Sequence, residues 1–99
     1  MPVWKGKMDT LYYDTRTADG QVDCEVKMAE NDIVVSYEQD GEFVLYGGRE
    51  HGPGHFVLEC LEQHGAATLH QLSGSTILEG YWSEEGDRGM WRIALQSAG

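Results

Sequence analysis

The segment Val22-Asp23-Cys24-Glu25-Val26-Lys27-Met28 alternates apolar and polar residues with a period of two, as a strand does when one face is buried and the other is wet. No window carries apolar residues at helical spacing over three turns, so helix is at most a minor component. Glycine-bearing turn signals recur instead, at Asp19-Gly20, Asp40-Gly41, Gly52-Pro53-Gly54, His64-Gly65, Ser73-Gly74 and Glu85-Gly86. With Glu30-Asn31-Asp32 they divide the chain into eight short segments. A turn every roughly 9 to 13 residues is the rhythm of an antiparallel meander.

Residues paired across a hairpin share a face, so each turn predicts which positions of the next strand point inward. Looping at Asp40-Gly41 pairs Tyr37 with Val44 and Val35 with Tyr46. A three-residue loop at Gly52-Pro53-Gly54 pairs Tyr46 with Cys60 and Gly48 with Leu58, and a turn at His64-Gly65 sets Cys60 against Leu69. Ser73-Gly74 then places Leu69 opposite Leu78 and Ala67 opposite Gly80. Glu85-Gly86 sets Leu78 against Ile93, Gly80 against Trp91, and Trp82 against Gly89. In these two Gly–Trp pairs the glycine leaves room for an indole and lets the sheet bend. The other face receives Glu79 against Arg92 and Glu59 against His70, complementary pairs suited to solvent.

One apolar face therefore persists along the chain: Trp4, Met8, Tyr12, Val22, Cys24, Val26, Met28, Ile33, Val35, Tyr37, Val44, Tyr46, Phe56, Leu58, Cys60, Leu69, Leu78, Trp82, Trp91, Ile93 and Leu95. Eight strands in up-and-down order bring the first and last together in antiparallel sense, and closure removes both exposed edges. The expected fold is all-β, an eight-stranded up-and-down antiparallel β-barrel forming a single domain over residues 1–99. At eight strands the lumen is either filled by side chains or holds one small ligand.

Trp4-Lys5-Gly6 near the start, with Gly80-Tyr81-Trp82 and Gly89-Met90-Trp91-Arg92-Ile93 in the last hairpin, resembles the calycin-like barrels, the lipocalin, fatty-acid-binding and avidin group. The closing stretch from Ile77 to Ile93 is also similar to small uncharacterised bacterial proteins of this shape. The resemblance implies the barrel. It carries over no functional residue, and biotin binding is not implied.

Charge narrows the partners. Seven Lys and Arg against seventeen Asp and Glu give a net charge of -10, which repels nucleic acid and anionic membrane. The first ten residues have Lys5 and Lys7 around Trp4 but no apolar run, and no later run reaches the length of a membrane span. A cytoplasmic protein is expected if the chain is complete. Cys24 and Cys60 form no C-x-x-C pair or dense framework, and both are expected to be reduced and buried on opposite sides of the lumen.

Several side-chain groups bear on function. Tyr12, Tyr37, Tyr46, Trp82 and Trp91 combine apolar surface with hydroxyl and indole donors, as small-molecule pockets do. The leading expectation is a non-catalytic barrel binding a small apolar or amphipathic ligand on these residues, with Gln71 or Thr76 at the opposite mouth. The alternative is a filled barrel acting as a structural or protein-interaction module, and third an enzyme without assignable residues. No cofactor is implied. His51 and His55 flank Gly52-Pro53-Gly54 directly across from each other and are the only metal candidates, but they lack a third ligand and are expected to be solvated. Asp14, Asp19, Glu38, Asp40, Glu42, Glu62, Glu84, Glu85 and Asp87 gather at one barrel end. That rim suits solubility and edge protection, or else a cation or basic partner. On the outside, Val34, Phe43, Leu45, Val57, Leu61 and Leu72 form an apolar patch with Leu45 opposite Leu61, while Ile77, Tyr81 and Met90 form a second group. A homodimer through the first face is expected.

Overall fold

The computed structural model describes residues 3–98, so residues 1, 2 and 99 of the expected domain lie outside it. Eight strands follow one another: β1 (Val3–Tyr12), β2 (Thr17–Ala29), β3 (Asp32–Gln39), β4 (Glu42–Glu50), β5 (His55–Cys60), β6 (Gly65–His70), β7 (Ile77–Glu84) and β8 (Asp87–Ala98). Each pairs antiparallel with the next, and β8 returns to β1, closing an up-and-down barrel in strand order. A short 3-10 helix, Leu61–Gln63, links β5 to β6. No described helix is long and apolar enough to cross a membrane.

Two hairpins follow directly from their turn residues. Asp40-Gly41 and Glu85-Gly86 all have positive φ, at 53°, 80°, 47° and 89°, the backbone of a tight turn whose twist matches the flanking strands. Their registers agree with expectation: Tyr37 faces Val44, Val35 faces Tyr46, Leu78 faces Ile93, Gly80 faces Trp91 and Trp82 faces Gly89. Gly48 likewise faces Leu58 across the Gly52-Pro53-Gly54 loop, although the β4–β5 ladder ends at Gly47 and Glu59, short of Tyr46 and Cys60.

Three connections differ from the expectation. The β1–β2 turn lies at residues 13–16, not at Asp19-Gly20. Asp19-Gly20 instead sits in a bulge of β2, where the register slips between Met8 paired to Val22 and Thr10 paired to Asp19. Gln21 at φ 59° donates its amide to Asp9 Oδ1 at 2.9 Å, so a carboxylate on the facing strand holds the bulge. Between β5 and β6 the chain turns at Leu61–His64, which pairs Cys60 with Gly65 rather than Leu69 and leaves Leu61 outside the ladder, not opposite Leu45. Between β6 and β7 a longer loop, braced by Ser75 N to Leu72 O at 2.9 Å, sets Leu69 against Gly80 and Ala67 against Trp82. Both register changes are even, so every residue keeps its face.

For that reason the apolar face survives intact. Met8, Cys24, Val26, Ile33, Val35, Tyr37, Val44, Tyr46, Phe56, Leu58, Cys60, Ala67, Leu69, Leu78, Trp82, Trp91 and Ile93 form the buried core, with Trp4, Tyr12, Val22, Met28 and Leu95 packed half-buried against it. Glycines are placed where the coiled sheet crowds its own backbone. A Cβ on Gly48 would overlap the Val57 carbonyl oxygen, one on Gly80 that of Thr68, and one on Gly89 that of Leu11. At Gly89 the expected indole is present as well, Trp82 Nε1 standing 3.0 Å from the Cβ position. At Gly80 the constraint is the neighbouring strand, not Trp91.

Both cysteines are free and buried. Burial, reinforced by the Asp23 charge, pushes the Cys24 thiol up to about 11, against an ordinary 9.0. At neutral pH its thiolate fraction is then about a hundredfold lower than that of an exposed thiol. Iodoacetamide in excess is expected to leave Cys24 unmodified in the native protein and to label it after unfolding. Burial also raises the Tyr37 and Tyr46 phenols. These groups hold their protons in the folded chain to a higher pH than in the unfolded one. Their stabilising contribution is therefore complete below about pH 9 and declines as pH rises toward 11. Thermal unfolding followed by circular dichroism is expected to show a midpoint that falls by several degrees over that window.

Candidate functional site

The hairpin turns β1–β2, β3–β4, β5–β6 and β7–β8 lie together at one end of the barrel, and there the lumen opens into a hollow of about 300 Å³. Its inner wall is aromatic, made by Tyr12, Tyr37, Trp82 and Trp91, with Met8, Thr10 and Val22 between them. Its rim is acidic, made by Asp19, Glu38, Asp40, Glu84 and Asp87, with Gln39 beside them. The β2 bulge is what brings Asp19 to this wall, because it keeps residues 17–20 in the strand.

The aromatic wall is internally fixed. Trp91 meets Tyr46 edge to face at 4.9 Å and Tyr37 at 6.1 Å, and stacks near-parallel on Trp82 at 6.3 Å. Tyr12 stands edge-on to Trp82 at 5.1 Å. Such edge-to-face pairs each add roughly 0.5–1.5 kcal/mol beyond the burial of their area. Trp82 is only 4 % exposed, yet its indole Nε1 has no hydrogen-bond partner. A buried donor left unpaired costs about 1–3 kcal/mol, and here it belongs to a side chain that lines the hollow.

Beneath the rim, the Tyr46 hydroxyl donates to Glu84 Oε2 at 2.5 Å. The phenol reaches Glu84 by passing over Gly65, where a Cβ would overlap its hydroxyl. Gly65 pairs with Glu84 across β6 and β7, so one position supplies both the space and the partner. Burial first, and this hydrogen bond second, keep the Tyr46 phenol protonated well above the ordinary range. At the mouth, Gln39 Nε2 donates to the Tyr12 hydroxyl at 3.4 Å.

Of the six lumen residues singled out from the sequence, Tyr12, Tyr37, Trp82 and Trp91 line the hollow and two do not. Tyr46 lies in the core with its hydroxyl spent on Glu84. Gln71 sits at the opposite barrel end, where its amide donates to Ser75 O at 2.7 Å and its backbone N–H to Gly54 O at 2.8 Å. In the same loops Glu50 Oε2 accepts from the Gly54 N–H at 2.9 Å. Thr10 was missed by the sequence reading. The period-two inward series Met8, Thr10, Tyr12 contains it, but a search for apolar residues passes it over.

The histidines arrange themselves differently from expectation. His70 faces His55 across β5 and β6, and Glu59 faces Ala66. Nδ1 of His55 and Nε2 of His70 are 2.6 Å apart, one donating and one accepting. His51 does stand across from His55 at the end of that hairpin, as expected, its N–H donating to the His55 carbonyl oxygen at 2.7 Å. Among the described residues no three His, Cys, Asp or Glu side chains come together to hold a metal ion. A second, more open depression of about 380 Å³ on the outer wall mixes Lys5, Asp23, Glu25 and Gln96 with Phe43, so it lacks a uniform charge.

Fold and site together define a closed eight-stranded up-and-down barrel with a hollow at one end that is acidic at its rim and aromatic at its wall. No protein-family model matches the chain, and no curated protein or solved structure matches it significantly.

Proposed function

We propose that this chain is a non-catalytic binding protein of calycin-like type that takes one small amphipathic molecule into the acidic end of its lumen. The observation that carries the reading is the convergence of four aromatic side chains on one hollow of about 300 Å³. Filling a barrel of this size does not require that end to stay hollow. The volume suits a compact ligand at the small end of the usual pocket range. Two free, buried thiols accord with a reducing, cytoplasmic setting. Native mass spectrometry of protein isolated from its own host tests the proposal: a co-purifying small molecule at one per chain is expected, and a bare polypeptide mass at every collision energy would overturn it.

A second reading is supported by the outer wall. Phe43 is 64 % exposed, Leu45 47 % and Leu61 83 %, next to half-buried Val34 and Val57. Because closure leaves no free strand edge, two copies would meet face to face through this patch. Sedimentation at micromolar concentration is expected to give twice the chain mass for the native protein and the single-chain mass for Leu45→Glu. A single-chain mass for both would remove the dimer.

A further inference from the structure

The rim and the wall of the hollow differ in chemistry, and the difference bears on the ligand. Asp19, Glu38, Asp40, Glu84 and Asp87 line it, while no Lys, Arg or His among the described residues does. The nearby Arg88 is directed to Asp14, its guanidinium 3.7 Å from the carboxylate. An anionic ligand would meet several like charges in a chain of net charge -10. A neutral apolar one would take those carboxylates out of water without compensation. A cation does neither, and aromatic faces attract it through their quadrupoles. The wall offers two indoles and two phenols within reach of the rim.

We infer that the occupant of this site is a small organic cation, an ammonium group held against the aromatic wall and the carboxylate rim. The inference rests on the lumen-binding reading above and specifies its ligand class. The rim carboxylates select the charge and the indoles select its soft, weakly hydrated form. Inorganic cations, strongly hydrated and without apolar surface, gain little from the wall.

Choline and its neutral carbon isostere, 3,3-dimethylbutan-1-ol, separate charge from shape, since both carry one hydroxyl and the same branched head. Calorimetric titration of the full chain at low salt is expected to show choline binding at least about tenfold more tightly than the isostere, equivalent to 1.4 kcal/mol. Its affinity should fall as salt rises. Asp19→Asn combined with Asp40→Asn should weaken choline several-fold without altering the isostere, and Glu59→Gln on the outer wall should change neither. Equal affinities, or tighter binding of the isostere, overturn the cation inference and leave lumen binding standing. Absence of choline binding overturns it too. The lumen reading is tested separately, by the search for a co-purifying molecule, and does not fall with the cation inference.

Discussion

Trp91→Ala is expected to cost about 3–5 kcal/mol. Trp91 is 2 % exposed and its ring meets Tyr37, Tyr46 and Trp82 at once. Removing it takes away burial, opens a cavity between β4 and β8, and leaves the Tyr46 ring without its edge-to-face partner. Since a domain of this size holds only about 5–15 kcal/mol in total, the variant should stand near the limit of folding, with its thermal midpoint lowered by roughly 15–30 °C. Urea unfolding followed by far-ultraviolet circular dichroism measures the loss. Trp91→Phe, which retains a ring at the same place, should recover at least half of it. A loss below about 1 kcal/mol for the alanine variant would mean that Trp91 is not packed as described.

Gly48→Ala is expected to be nearly as damaging, although it adds one methyl group. Its Cβ would overlap the Val57 carbonyl oxygen and stand 2.7 Å from the Leu58 Cα, both fixed backbone of the paired strand. Relief requires β4 and β5 to separate, so the cost should exceed the roughly 1–3 kcal/mol of ordinary overpacking. Gly47→Ala is the matched control. One residue away on the opposite face, its Cβ would meet only the Leu45 Cδ2, at 3.9 Å. A change within about 0.5 kcal/mol, of either sign, is expected there. Equal effects at the two positions would contradict the register of this hairpin.

These pairs also indicate what the sequence made legible. Barrel, strand number and inward face could be read because period-two alternation survives any even error in register. The Leu61–His64 connection moved the β5–β6 pairing by four residues and Gln71–Thr76 moved β6–β7 by two, yet no side chain changed face. What failed was local. Asp19-Gly20 resembles a hairpin turn, but Asp9 stabilises it as a bulge, a contact between residues on facing strands that no local pattern reveals. A turn at His64-Gly65 places His70 opposite Glu59, and the four-residue shift gives it His55 instead. The site was legible in two halves. Inward aromatics and the acidic rim were each evident, but their meeting on one hollow depends on where the lumen is filled. Tyr46, over Gly65, helps fill the middle, whereas Thr10 and Val22 leave space at the end.

The proposed occupancy of the lumen is tested most directly by the three tryptophan indole signals in the ¹H–¹⁵N spectrum. Trp82 and Trp91 line the hollow, and Trp4 lies half-buried at the other barrel end as an internal reference. Labelled protein from its own host should be compared before and after unfolding, exhaustive dialysis and refolding. The account predicts that the Trp82 and Trp91 indole signals differ between the two samples while Trp4 stays in place, and that a small-molecule extract of the same host restores the first spectrum. Identical spectra throughout, or a change confined to Trp4, would contradict it.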